Sequence, residues 1–508
     1  MRCVFVLFDS LNRHAIGPYG GPVPTPNMSR LAARGCVFDN HYVGSLPCIP
    51  ARREMHTGRL NFLHRGWGPL EPFDVSFAGE MRAAGIYSHL ITDHYHYFED
   101  GGFGYHGRYD SYEFIRGQEK DKWRSAIEPG LAEYEERFEP SQRDTSLHPD
   151  SKTAYYASHR RLSRTGTFPL ERCFDSAVEF VDAHSGVDDW FLHLECFDPH
   201  EPFFLDTDRD VDDAARPGGR IFDWPAYGRN TLEGERLAQL RERYESLVGR
   251  CDRELGRLLD CLDRNDLWED TVVIVTTDHG LLLGEKEFLG KNRPPFFNEV
   301  ARIPLIVAAP ERLRGDGPAR VEGLTQTTDL MPTFLDLFGI EIPESVGGTS
   351  LSACLDGSAE AAHDAILFGQ FGAAINFTDG RHSYFLYPLP AMTDEIWQYT
   401  LMPTHMRSFF ERIEFEGAEV VEDLAFARGY PVWRLRMRPD AKANMVSRYP
   451  LLDARDALYD LRADPNQTRP LDDPEAVARC RDRIAGLLRE NDAPAEVFAR
   501  FGLGAPAP

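Results

Sequence analysis

The chain has 508 residues, 42% of them hydrophobic and 27% charged, the make-up of an ordinary globular protein too long for one core. Its formal net charge of −25 excludes nucleic acid and anionic membrane as partners, so an anionic ligand needs a local positive pocket. Nine scattered cysteines, odd in number and without a CxxC pair, read as reduced thiols rather than a disulfide framework.

The first element is the apolar run CVFVLF, which stops at Asp9. It is too short for a membrane span, no small-residue cleavage site follows it, and no later stretch approaches a span. Together with the thiols, this predicts a cytoplasmic protein. Next comes SLPCIPARREMHTGR, residues 45–59, with Cys48, Pro50 and Arg52 at alternate positions before a stretch of helical composition. A cysteine at a helix N-terminus sits in a field that favours anions. The simpler reading is a small buried residue at a loop-to-helix junction.

Three further strand-length runs end in polar residues. YSHLIT leads to His94 and His96, WFLHLECF to Asp198 and His200, and TVVIVTT to Asp278 and His279. Continuous apolar runs of this kind mark buried parallel strands covered on both faces. Between 237 and 262, Leu237, Leu240, Tyr244, Leu247, Cys251, Leu255, Leu258 and Leu262 recur every three or four positions, which predicts a long amphipathic helix. The alternation gives an α/β doubly wound sheet. In such sheets ligands bind beyond the carboxyl ends of the strands, and here acids and histidines collect at four of those ends.

Residues 101–170 and 203–233 lose periodicity and read as long insertions at the site face. Past VGGTSLSACLDG the character changes to short strands (AILFGQF, AAINF, YFLYP) and a final amphipathic helix, PEAVARCRDRIAGLLREN. This predicts a catalytic α/β domain over 1–355 and a smaller antiparallel subdomain over 356–508. The tail, with Phe498, Phe501 and Leu503, shows no core of its own in the sequence, which predicts a homodimer or higher homo-oligomer.

Cys48, Pro50 and Arg52 spell C-x-P-x-R, and with the TGR that follows they resemble the sulfatase signature. PTPNMSRLAARGCVFDNHYV, TTDHGLLLGEKEFLGK, ARIPLIV, TTDLMPTFLDLFGI and ALYDLRADPNQTRPL resemble further sulfatase segments, so the likeness runs over nearly the whole chain. It implies a sulfatase-like fold of the alkaline phosphatase superfamily, a doubly wound mixed sheet with a smaller C-terminal antiparallel subdomain. It also implies that Cys48 is oxidised after translation to formylglycine (3-oxoalanine) by a formylglycine-generating enzyme that reads C-x-P-x-R. A geminal diol there offers one hydroxyl to attack sulfur, and the other later collapses to the aldehyde and expels sulfate. By the same resemblance one divalent metal is held by Asp9, the modified Cys48, Asp278 and His279, and Arg52 holds the diol or the metal-bound oxygens. Lys291 and His200 match residues that contact the sulfate group and the leaving-group oxygen. His96 falls on the histidine that deprotonates the diol, and His94 replaces a lysine.

The chain departs from the commonest pattern in having Asp9-Ser10 where many sulfatases have paired aspartates, and Asp278-His279 where they have Asp-Asn. One carboxylate fewer and one imidazole more favour manganese, with calcium next and zinc third. The implied activity is hydrolysis of small sulfate monoesters, aryl esters foremost. The alternative is a phosphonate monoester or phosphate diester hydrolase of the same superfamily, whose metal set this pattern also resembles. A non-catalytic binding protein on this fold predicts losses among Asp9, Cys48, Arg52, Asp278 and Lys291, and none is lost.

Overall fold

The computed structural model describes every residue except 124, 129, 141, 143–148, 206–207, 209–219, 292–294, 439–454 and 505–508. Its centre is an eight-stranded sheet formed by β1 (Arg2–Phe8), β2 (Cys36–Tyr42), β3 (Tyr87–Thr92), β4 (Ser111–Phe114), β5 (Trp190–Cys196), β6 (Thr271–Thr277), β7 (Leu305–Ala308) and β8 (Arg320–Gln326). The spatial order is β8-β2-β7-β6-β1-β5-β3-β4. All pairs are parallel except those made by β7, which runs antiparallel to both neighbours. The four runs read as strands are thus four adjacent strands, β6-β1-β5-β3.

Both faces of this sheet are covered, and its central strands β1, β5 and β6 are buried at every position. Val4, Val6 and Phe8 of β1 point into one core, with helices α1 (Pro26–Arg34), α4 (Pro169–Ala183) and α5 (Gly234–Arg264) over it. Cys3, Phe5 and Leu7 point into the other, against α2 (Cys48–Thr57), α3 (Phe77–Ala83) and α6 (Leu330–Leu337). The periodic stretch 237–262 lies wholly within α5.

The chain beyond residue 355 adds β9 (Ile366–Gln370), β10 (Ile375–Thr378), β11 (His382–Leu386), β12 (Trp397–Thr400), β13 (Glu419–Val421), β14 (Val432–Arg436) and β15 (Ala457–Asp460). β15, β11, β10 and β9 form an antiparallel sheet, and Ser45–Leu46 joins its edge parallel to β9. The small sheet therefore grips the chain two residues before Cys48. β12, β14 and β13 form a separate three-stranded sheet.

The tail corrects the sequence reading. Phe498 of α8 (Ala495–Arg500), with Phe501 and Leu503, is buried against the final amphipathic helix α7 (Pro474–Glu490), Leu367, Ile375 and Leu386. These residues have a core within their own subunit, and the sequence missed it because its other wall comes from strands more than a hundred residues upstream. The motive for an oligomer built on this tail is removed. Residues 505–508 of the tail lie outside the described residues. Among the described residues, no helix is long and apolar enough to cross a membrane.

Candidate active site

Four strand ends and one helix start converge at the carboxyl edge of the sheet. Asp9 follows β1, and Asp278 and His279 follow β6, its hydrogen-bonded neighbour. Cys48 opens α2, which ends where Gly58 takes the left-handed conformation (φ 62°) and donates its N–H to the Glu54 carbonyl. Gly44, just ahead, leaves room for the Glu54 carboxyl, since a Cβ there would fall 2.4 Å from it. Glu54 accepts from the Gly44 N–H at 2.9 Å and from the Thr327 hydroxyl, tying α2 to the end of β8.

Asp9, Cys48, Asp278 and His279 each place a ligand atom within 4.8 Å of the others, and all four are buried. The Cys48 sulfur is 3.4 Å from Nε2 of His279. Nδ1 of His279 lies 3.0 Å from the Gly280 carbonyl, a bond that places the ring proton there and turns the Nε2 lone pair into the cluster. Arg52, one helical turn after Cys48, directs Nε to Glu195 at 2.5 Å, Nη1 to Asp278 at 2.6 Å and Nη2 to Asp9 at 2.9 Å. Lys291 sits 2.7 Å from the Ser10 hydroxyl and 3.4 Å from Asp9 Oδ1.

Ser10 takes a left-handed backbone (φ 63°), unusual for a residue with a side chain. Its neighbours fix that geometry. Its N–H donates to Asp278 at 3.0 Å, its carbonyl accepts from the Tyr244 hydroxyl at 2.8 Å, and its own hydroxyl donates to Asp9 at 2.8 Å.

The electrostatics follow from this packing. Burial alone would raise the Asp9 carboxyl, but Lys291, Arg52, His200 and His279 hold it well below the usual range. Burial pushes the Cys48 thiol well above its usual value, with Asp9 and Asp278 adding to the shift. Burial thus disfavours the thiolate of an unmodified Cys48, which makes the bare thiol a poor nucleophile. The donors fit a divalent cation. The buried carboxyls of Asp9, Asp278, Glu195 and Glu201 outnumber the buried cations Arg52 and Lys291, an excess that a dication offsets.

The remaining expected residues take graded positions. His94 is fully buried with Nδ1 3.7 Å from Asp9, and burial with Arg52 nearby holds it well below the usual histidine range, as a neutral ring. His200 puts Nδ1 2.5 Å from the Glu201 carbonyl and 3.1 Å from its carboxylate. His96 stands one ring further out, 4.9 Å from His94 centroid to centroid, with Nδ1 2.5 Å from Glu99. Lys291 is buried. Glu195 and the Ser10 hydroxyl join the site without having been singled out by the sequence. The signal for Glu195 was present, since a glutamate inside the apolar run WFLHLECF demands a buried cation.

A sequence profile of the sulfatase family matches residues 2–340. The chain belongs to the sulfatase family, hydrolases acting on sulfuric esters. It is 29% identical over 372 residues to the multifunctional alkaline phosphatase superfamily protein PehA of Trinickia caryophylli, covering 64% of this chain and 70% of that one. A choline-sulfatase of Rhizobium meliloti is 25% identical over 417 residues, covering 76% and 75%. An arylsulfatase of Clostridium perfringens is 23% identical over 384 residues, covering 70% and 78%. In three dimensions the fold matches a phosphonate monoester hydrolase of Agrobacterium radiobacter with a TM-score of 0.61 at 18% identity, over 96% of this chain and 95% of that one.

Proposed function

We propose that this protein hydrolyses small sulfate monoesters, aryl sulfates among them, with a formylglycine made from Cys48 as the nucleophile. The observation that carries the reading is the closed cluster of Asp9, Cys48, Asp278 and His279 behind a C-x-P-x-R sequence. A divalent metal held by these residues supplies Lewis acidity and lowers the pKa of the attacking hydroxyl. An imidazole beside two carboxylates suits manganese first, calcium next and zinc third.

Side chains of the chain itself do the rest. Lys291, held by Ser10 and Asp9, pairs with an anionic oxygen of the ester. Arg52 fixes the rotamers of Asp9 and Asp278, and Glu195 fixes Arg52. His96 takes the proton of the attacking hydroxyl. At His200 the Glu201 carbonyl and carboxylate face Nδ1, so the ring can take a proton from solvent at Nε2 as an imidazolium held by Glu201, then give it to the leaving-group oxygen and return to neutral. His94, a neutral ring beside Asp9, lines the ester site without adding charge. The enzyme that converts Cys48 is the one macromolecular partner this reading requires.

A second reading, phosphonate monoester or phosphate diester hydrolysis, is favoured by the Asp9-Ser10 and Asp278-His279 pattern and by the likeness to PehA and to the phosphonate hydrolase. Both reactions move a tetrahedral group with one negative charge, so pocket charge hardly separates them. The deciding experiment compares kcat/KM for 4-nitrophenyl sulfate and for 4-nitrophenyl phenylphosphonate on enzyme with position 48 fully converted. A higher sulfate value is expected; the reverse order would replace the first reading with the second.

A further inference from the structure

His96 is braced by a chain of charged groups that crosses from the chain beyond residue 355 to the end of β3. Glu99 places Oε2 2.5 Å from His96 Nδ1 and Oε1 2.6 Å from Arg407 Nε. Arg407 also donates to the Tyr95 hydroxyl. The two segments are closely docked. The Gly101 N–H donates to the Met406 carbonyl at 3.0 Å, and a Cβ at Gly101 would fall 2.6 Å from the His405 carbonyl oxygen. His405 is anchored in turn through Nε2 to both Glu414 oxygens, at 2.7 and 2.9 Å. Trp67 packs against the His96 ring in a T-shaped pair, centroids 4.9 Å apart.

We propose that Glu99 and Arg407 are positioning residues for His96, Glu99 fixing its tautomer and Arg407 fixing Glu99. With the Glu99 carboxylate accepting at Nδ1, the ring proton stays on that nitrogen and the Nε2 lone pair is free to act as base. When Nε2 takes the proton of the attacking hydroxyl, the imidazolium keeps both protons and faces an ionised carboxylate, and none passes to Glu99. Arg407 occupies the second oxygen of Glu99, which holds the carboxylate ionised and in one rotamer. The chain beyond residue 355 thereby contributes a working part to a site built on the other sheet. This inference rests on the assignment of His96 as base made above.

The charged groups facing His96 are Glu99, Arg407 and Lys120, with His94 beside it as a neutral ring. Burial lowers the His96 pKa to about 4, Glu99 acts to raise it and Arg407 to lower it. Removing the two partners must therefore move the acid limb of kcat/KM in opposite directions. Glu99→Gln shifts it to lower pH and Arg407→Ala to higher pH, a pattern that loss of packing does not produce.

The test measures kcat, KM and the pH profile of kcat/KM for 4-nitrophenyl sulfate on Glu99→Gln, Arg407→Ala and Arg407→Lys, each with position 48 fully converted. We expect kcat to fall about 10- to 100-fold in Glu99→Gln and about 10-fold in Arg407→Ala, with KM changed less than about 3-fold and partial recovery in Arg407→Lys. A far-downfield imidazole proton resonance, assigned by its loss in His96→Gln, should vanish in Glu99→Gln and move in Arg407→Ala. Unchanged kcat and pH limbs in the Glu99 and Arg407 variants, with His96→Gln inactive, would overturn the inference alone. Full turnover in His96→Gln would instead overturn the assignment of His96 on which it rests. Arg407 is partly exposed, 36% at its side chain, so its variants keep the test available even where Glu99→Gln fails to fold.

Discussion

Arg52 and Glu195 share a 2.5 Å bond in the protein interior, and neither is more than 1% exposed. The bond gives Arg52 a fixed orientation from which its other two nitrogens reach Asp9 and Asp278. Glu195 thus orients the carboxylates of Asp9 and Asp278, the proposed metal ligands, through Arg52. Glu195→Ala should destabilise the fold by about 3 kcal/mol, because it leaves a buried guanidinium short of a counter-charge. It should also weaken manganese binding about 10- to 100-fold. Thermal unfolding with and without manganese, and metal titration, check both. Unchanged values would show that Arg52 is held without Glu195. Arg52→Lys should not rescue, since one ammonium does not span three carboxylates along fixed directions.

Lys291 and Ser10 form a second prediction. Lys291→Met removes the cation beside Asp9 and should lower kcat/KM at least about 100-fold, the scale of losing one charge-stabilising donor. Ser10→Gly keeps the left-handed backbone without strain, so it should change stability by less than about 1 kcal/mol while lowering turnover by freeing Lys291. Ser10→Ala keeps the strain and loses the hydroxyl, so it should melt lower than Ser10→Gly. The reverse order of melting temperatures would refute this account of Ser10.

Much of this site was legible in the sequence, and what was not has physical reasons. The four central strands announced themselves because strands covered on both faces read as nearly continuous apolar runs. Asp9, Cys48, Asp278 and His279 follow from strand ends and one motif. The antiparallel insertion of β7 left no local mark, because pairing direction is set by the connections and not by composition. Glu99 and Arg407 lie 308 positions apart, and no periodicity joins them. Phe498 was misjudged for the same reason, since its partners Leu367 and Ile375 belong to another stretch of chain.

That correction yields a third prediction. Phe498→Ala should cost about 3 to 5 kcal/mol, the range for emptying a buried aromatic site, and should leave the molecular mass in solution unchanged. Calorimetry and light scattering together decide it. A change in association state with stability intact would return the tail to an intersubunit role.

Glu54 gives a pH signature. Burial raises its carboxyl to about 7 from the ordinary 4.5, against bonds from Thr327, Ser45 and Gly44 that act to lower it. The folded state then binds the proton more tightly than the unfolded chain. The contribution of Glu54 is most favourable below about pH 4.5 and is lost as pH rises through about 7. Relative to Glu54→Gln, the native protein should therefore lose stability between those limits. A stability difference that stays flat from pH 4.5 to 8 in paired denaturant titrations would contradict this.

The central claim is that position 48 works as formylglycine and not as cysteine, whose thiolate burial disfavours there. The most direct measurement is peptide mass spectrometry of residues 45–59 on a series of preparations differing in maturation, set against turnover of 4-nitrophenyl sulfate in each. The account predicts turnover proportional to the converted fraction, with Cys48→Ala and Cys48→Ser near zero because neither side chain forms a geminal diol. A fully active preparation in which position 48 is wholly unmodified cysteine would contradict it.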